Sequence, residues 1–343
     1  MEKVLVALSG GVDSSTAALI LKQNGFDVHS AMMIFQGITD ELVSYARDAA
    51  QAIGIPFQTF DFTEEFKSLI LGDFIREYKR GRTPNPCVLC NELMKFGIYM
   101  ARAKHLGFDK IATGHYARLE RENNRYLLKK GMDKNEQSYF LYRLKQKQLS
   151  ELLLPLGSYT KEVVREKARE NNLPTAKQKK SQDICFISEN NYTSYIKGII
   201  SSEPGLIYDS TGRILGKHKG IIAYTIGQRK GIGLSHERPY YVIGIDAKKN
   251  IIYVGEAQEV YKSQFIAKDL NFILFDKLNE KMAVKAKTRY VSDLSEASIE
   301  PYGKGGVKVI FKKSQWAVTP GQSVVFYMGD TMLGGGIIDR VLD

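Results

Sequence analysis

Cysteine is scarce in this chain of 343 residues: there are three, and all of them fall in two short segments, Cys87 and Cys90 in TPNPCVLCN and Cys185 in SQDICFI. Thiols so few and so placed suggest chemistry. A C-x-x-C pair with one distant cysteine is compatible with a redox pair, a metal or cluster site, or a catalytic thiol with a partner, and the count does not choose among them. Cys185, between Ile184 and Phe186, also reads as a small core hydrophobe, whereas a proline-rich loop such as Thr83-Pro84-Asn85-Pro86 seldom leads into packed core. Long apolar runs are absent too. The N-terminal VLVAL has five apolar residues before glycine and serine, far short of a signal-peptide core or a membrane span. A soluble cytoplasmic protein with reduced thiols and no membrane partner is therefore expected. There is no internal repeat and no low-complexity tract, and the single tryptophan, Trp316, reads as β-domain core.

What is abundant is positive charge. Lys and Arg number 49 against 38 Asp and Glu, a net +11, and a surplus of that size favours a polyanionic partner, nucleic acid first. From Arg143 to Lys180 ten basic residues face four glutamates. Within that stretch KEVVREKARE has the alternating signs of a solvated helix face, while the unbalanced AKQKK at 176–180 is the better candidate for an anion.

The first half alternates strand and helix: VLVAL, SSTAALILKQ, DVHSAMMIF, DELVSYARDAAQAIG, PFQTFDF, EEFKSLILGDFIREYKRG, FGIYMARAKHLG and DKIATGHYA. Such alternation predicts a Rossmann-like parallel sheet with helices on both faces. After about residue 190 short β segments replace it, with helix still allowed over 190–198. The expected division is an α/β domain over 1–190, a central β-rich domain over 191–260 and a C-terminal β-barrel over 261–343; length alone requires more than one core.

The turn after the first strand is Leu8-Ser9-Gly10-Gly11-Val12-Asp13-Ser14-Ser15, running directly into helix. Consecutive glycines let backbone amides close on an anion, and the helix N-terminus behind them adds its dipole. Ser14 and Ser15 supply hydroxyls, and Asp13 can hold a metal or its water. No lysine follows the glycines, so this is not a Walker A loop, and G-x-G-x-x-G is missing as well. The expected ligand is a phosphate chain.

SGGxDS resembles the loop of the ATP pyrophosphatases, which cleave ATP between its α and β phosphates and pass AMP to a substrate oxygen. Together with GRTPNPxxxCN, ATGHY, QSYFLY, ICFI, GQRKG, KTRY and VTPGQSVVFY, it makes the chain resemble the bacterial tRNA-specific 2-thiouridylases from Val4 to Ile338. The resemblance implies ATP-dependent sulfur transfer to C2 of the wobble uridine of glutamate, lysine and glutamine tRNAs. ATP and Mg are then required, and tRNA and a sulfur-donor protein, a persulfide relay or a cysteine desulfurase, are the partners. It also implies roles. Cys90 is the nucleophile and Cys185 carries the persulfide; Ala7, Leu8, Ser9, Gly10, Gly11, Val12, Asp13, Ser14, Met33 and Gly114 bind ATP; and Asn85, Pro86 and Cys87 surround the target base. His115, Asn135, Glu136, Gln137, Arg289, Tyr290 and Gln322 contact tRNA. By itself Met33 reads as core, and Arg289-Tyr290 as a strand surface pair.

The chain departs from the family pattern twice. Cys87 stands where an Asp is usual, and the stretch after Met33 is shortened to FQGITDELVSYARDAA. With Cys87, the three cysteines form a candidate ligand set for a 4Fe-4S cluster, so a cluster route competes with a persulfide route. Outside this enzyme type, an RNA-binding module with a vestigial ATP loop is the alternative.

Overall fold

The computed structural model describes residues 1–178, 185–187, 195, 198–199, 202–234 and 238–342. The helix allowed over 190–198 falls almost entirely outside the described residues.

The first sheet is parallel, in the order β3-β2-β1-β4-β7. It comprises β1 (Lys3–Ala7), β2 (Asp27–Ile34), β3 (Phe57–Asp61), β4 (Lys110–Ala112) and β7 (Leu152–Leu153). Val4, Leu5 and Val6 are all fully buried, because helices cover both faces and no alternation is called for. Between these strands run α1 (Val12–Gln23), α2 (Asp40–Ile53), α3 (Thr63–Phe66), α4 (Gly72–Lys79), α5 (Pro86–Leu89) and α6 (Met100–His105). Thr39 caps α2 by accepting from the Leu42 amide, and Gly54 ends it in the left-handed region. Strand order reverses between β1 and β4, and in an open parallel sheet the crevice outside the strand ends at such a switch point receives the ligand.

Two helical runs contain π-helical turns: Lys67–Leu71 between α3 and α4, and Cys90–Tyr99 between α5 and α6. Helix expected from Phe96 onward thus begins ten residues earlier, at Pro86. Asn85 accepts from the Val88 amide and Pro86 fills the first helical position, where a missing N–H is harmless. The proline-rich loop therefore does lead into core, and Cys90 is 8 % exposed.

The hairpin β5 (Ala117–Glu122) and β6 (Arg125–Lys130) leaves the first sheet, and α7 (Gln146–Ser150) and α8 (Lys161–Glu170) follow it. A four-stranded sheet, β10-β11-β8-β9, is built from β8 (Gly205–Asp209), β9 (Ile214–His218), β10 (Tyr241–Asp246) and β11 (Ile251–Gly255). The last part is a closed barrel of β12 (Tyr261–Phe272), β13 (Met282–Lys287), β14 (Ser295–Tyr302), β15 (Gly306–Trp316), β16 (Ser323–Met328) and β17 (Thr331–Val341), sealed by pairing of β12 with β17. Hairpin β5–β6 joins it edge-on through Thr331 and Lys129. Trp316 is a correction: it is half-buried, with edge contacts to Tyr241 and Tyr261, so it fills a seam between the second sheet and the barrel.

Candidate active site

Phosphate chemistry is prepared at the switch point. Gly10 takes φ +75°, and a β-carbon there would lie 2.6 Å from the Leu42 carbonyl oxygen, so only glycine lets the turn pass beneath α2. Ser14 Oγ accepts from the Ser9 amide at 3.1 Å and donates to the Gly11 carbonyl at 3.1 Å, and Ser15 Oγ donates to the same carbonyl at 3.0 Å. These bonds close the loop. The N-cap Gly11 supplies no side chain to the first-turn amides, leaving donors of the kind that receive anions.

Asp13, in that first turn, is held from two sides. The Tyr116 hydroxyl donates to Oδ1 at 2.6 Å and Lys161 Nζ at 2.5 Å. Lys161 begins α8, and its side chain is 14 % exposed; this corrects the solvated-face reading at that residue. Of the AKQKK segment, Lys177 is exposed, while residues 179 and 180 lie outside the described residues. Gly114 lies against the same turn, where a β-carbon would stand 2.8 Å from the Asp13 carbonyl carbon and the Ser14 nitrogen. Ala7 ends β1, Leu8 follows it, and Met33, near the end of β2, is 9 % exposed. The loop, its open approach at Gly11 and the carboxylate of Asp13 suit a magnesium-bound polyphosphate.

The thiols form the second half. Cys87 and Cys90 are a helical turn apart, one half-buried and the other buried. Cys185 is exposed by surface area, though protein crowds its sulfur enough to push its pKa up. The turn carrying it is anchored by Phe186, whose ring meets Phe66, Phe74 and Tyr195. The shortened stretch after Met33 closes over it: a β-carbon at Gly37 would lie 2.9 Å from the Cys185 carbonyl oxygen.

Burial, then the neighbouring Cys185 and Cys90, push the Cys87 thiol up to about 12. Burial pushes Cys90 up to about 11 against the pull of Lys95, with Cys185 adding to the rise. All three sulfurs therefore lie within electrostatic reach of one another. Among the described residues no three His, Cys, Asp or Glu side chains are arranged to hold a single metal ion.

The remaining candidates fall into two groups. His115 pairs Nδ1 with Thr113 Oγ1 at 2.8 Å, and burial and Lys95 hold its pKa well below the ordinary value. Next to it, Gln137 accepts from the Tyr116 amide at 3.1 Å and donates its own amide to the Tyr116 carbonyl at 2.7 Å. Tyr290 donates to the Asn135 carbonyl at 3.1 Å. Glu136 is bonded by the amide and hydroxyl of Ser138. His115, Asn135, Gln137 and Tyr290 are thereby brought together. Arg289 is turned inward, where Nη2 donates to the Ile226 and Ala317 carbonyls and to Thr319 Oγ1, at 3.2, 3.0 and 2.7 Å.

Gln322, on the barrel, donates to the carbonyls of Thr83 and Pro84 at 3.0 and 3.1 Å, and so holds the loop leading to Asn85, Pro86 and Cys87. The Tyr139 hydroxyl donates to the carbonyl of the next barrel residue, Ser323, at 2.9 Å. Sequence reasoning missed Lys95, Tyr116 and Asn91; the last is 3 % exposed beside Cys90, with Oδ1 unpartnered among the described residues. Tyr116 and Asn91 at least fall within the motifs ATGHY and TPNPCVLCN.

A nucleotide-type parallel sheet with a phosphate turn at its switch point, together with three neighbouring thiols, defines an enzyme class that joins ATP cleavage to sulfur chemistry. Comparison with known proteins gives the particular family. Models described as the tRNA methyl transferase HUP domain, the tRNA methyl transferase PRC-barrel domain and the aminomethyltransferase beta-barrel domain match residues 2–189, 193–256 and 262–338. A "tRNA-specific 2-thiouridylase MnmA 2" of Thermoanaerobacter sp. (strain X514) is 48 % identical, over 99 % of this chain and 98 % of its own. The MnmA proteins of Acetivibrio thermocellus and Clostridioides difficile are 46 % and 44 % identical, over 98 % and 99 % of this chain and 99 % of each of theirs. The chain belongs to the MnmA family of tRNA-specific 2-thiouridylases.

Proposed function

We propose that this protein transfers sulfur to C2 of the wobble uridine of glutamate, lysine and glutamine tRNAs at the expense of ATP. The single observation that carries the reading is the meeting of three thiols in a chain that also carries a phosphate-binding turn and is 48 % identical to a named 2-thiouridylase. The matched domain descriptions speak of methyl transfer and the relatives' names of thiolation; the thiols favour sulfur.

The uracil O2 is an amide-like oxygen and a poor leaving group. In the proposed sequence it attacks the α-phosphorus of ATP, the bond to the β-phosphate oxygen breaks, and pyrophosphate leaves. The Ser9–Ser14 turn and the first amides of α1 hold the phosphates, and Asp13 is the residue to hold magnesium, which would neutralise developing phosphate charge. A persulfide anion on Cys185, loaded by a sulfur-donor protein, then attacks C2, and AMP departs with the C–O electron pair. Cys90 thiolate attacks the Cys185 sulfur, the sulfane bond breaks, and sulfur remains on C2 as the thione. A Cys90–Cys185 disulfide results and needs a two-electron thiol reductant before the next turnover.

Asn85, Pro86 and Cys87 surround the base, and His115, Asn135, Glu136, Gln137, Arg289, Tyr290 and Gln322 serve tRNA in this reading, Arg289 through the seam it ties rather than by facing RNA. The domains divide at 190 and 260, and the protein works in the cytoplasm; no helix among the described residues is long and apolar enough to cross a membrane. Nucleoside mass spectrometry tests the proposal: 2-thiouridine should form in unmodified tRNA only with ATP and a persulfide donor, and Cys90→Ser should abolish it while tRNA binding persists. Thiolation retained by Cys90→Ser refutes the assignment, and iron with sulfide in anaerobically purified protein would favour the cluster route.

A further inference from the structure

Lys95 stands five residues after Cys90. In an α-helix that spacing turns a side chain about 140° away, at about 100° per residue. The helix is not α there. Cys90–Tyr99 is π-helical, with hydrogen bonds from i+5 to i, so residue 95 comes beneath residue 90 on the same face. Gly97 shows how close that register is, since a β-carbon on it would lie 3.1 Å from the Glu92 carbonyl oxygen.

The half-buried Lys95 is the cation that acts electrostatically on Cys87, Cys90, Cys185 and His115 together. No carboxylate among the described residues forms an ion pair with it. The acid nearest in sequence, Glu92, is taken by Arg143; Asp13 is taken by Lys161. From β4's end, the facing titratable group is His115, whose Nδ1 is engaged by Thr113. Among the described residues Lys95 is thus a half-buried cation with thiols and no carboxylate around it, a setting that favours an anion.

We propose that Lys95 is the counter-ion of the transferred sulfur, binding the persulfide anion on Cys185 and later the negative charge that the Cys90 thiolate brings and leaves on the sulfur at C2. The inference rests on the thiolation reading above. Lys95 exchanges no proton and no electrons in this role; it supplies a fixed positive charge where sulfur is anionic, beside the nucleophile Cys90.

Two measurements test it. First, the thiols of Lys95→Met, Lys95→Arg and the unaltered protein are alkylated with iodoacetate and with iodoacetamide, and the rates at Cys185 and Cys90 are read by peptide mass spectrometry. The anionic reagent should be favoured at these sites, and the iodoacetate-to-iodoacetamide ratio should fall about fivefold in Lys95→Met, the effect of one charge at close range in a wet site. Lys95→Arg should keep most of the ratio. An unchanged ratio in Lys95→Met overturns the proposal.

Second, in single turnover Lys95→Met should lose 2-thiouridine formation while tRNA-dependent pyrophosphate release persists. Equal loss of both puts Lys95 in the ATP half or in the scaffold, and overturns the proposal as well. If the unaltered protein forms no 2-thiouridine, the functional reading fails and the alkylation ratio still decides where the Lys95 charge acts.

Discussion

Gln322 and Thr83, 239 residues apart, are joined by a 3.0 Å hydrogen bond from the barrel side chain to the loop carbonyl. The Thr83 amide returns the link by donating to the Pro320 carbonyl at 2.9 Å. The loop that introduces Cys87 and Cys90 is thus shaped from outside its own domain.

Gln322→Ala removes both donations to that loop and leaves two carbonyls short of partners. It should cost about 1–3 kcal/mol and reduce thiolation more than pyrophosphate release. Urea unfolding and parallel assays of the two half-reactions check it, and equal loss in both assays would place Gln322 in general stability only.

Gly10→Ala should be worse. It places a β-carbon 2.6 Å from a backbone oxygen at φ +75°, and a strained backbone of this kind costs about 1–3 kcal/mol before the clash is counted. A lowered melting temperature and lost ATP binding are expected; normal ATP affinity would mean that α2 yields easily.

Asp13→Asn keeps the shape of the turn but weakens the hold on Lys161 and on any magnesium. Pyrophosphate release should fall by orders of magnitude, and extra magnesium should rescue little. Titration of a fluorescent ATP analogue with and without magnesium reads the effect directly.

Alkaline pH should loosen the fold through the thiols. Cys87 and Cys90 are raised to about 12 and about 11 from an ordinary value of about 8.5. The folded state therefore favours the protonated thiols. Their contribution is fully present below pH ~8.5 and is lost as pH rises toward the folded values. The urea midpoint should be steady at neutral pH and fall above ~9, less steeply in Cys90→Ala. His115 acts oppositely: its pKa is lowered, so its contribution holds above about 6.5 and fades as pH falls.

The sheet and the phosphate turn were legible because each follows from local pattern. VLVAL is apolar throughout since both faces are covered, and Gly10-Gly11 precedes a helix that can only start there. The thiols' surroundings were not. Lys95 lies off the α-helical face of Cys90, and nothing in CNELMKFGIY announces a π register. Lys161 sits in a segment whose alternating signs describe a solvated helix well, and its inward turn depends on Asp13, 148 residues away. Arg289 followed the same rule: by itself Arg289-Tyr290 reads as a strand surface pair, while the three acceptors from Ile226, Ala317 and Thr319 are visible only in three dimensions.

The join between hairpin β5–β6 and the barrel at Lys129 and Thr331 bears on how the protein can be dissected. A fragment ending near residue 260 would retain β6 but lose the strand it leans on, exposing backbone donors and acceptors along a fresh edge, the kind of edge through which sheets aggregate. ATP activation and the barrel are therefore coupled in folding, and the fragment without the barrel should be poorly soluble despite carrying every thiol and the whole phosphate turn.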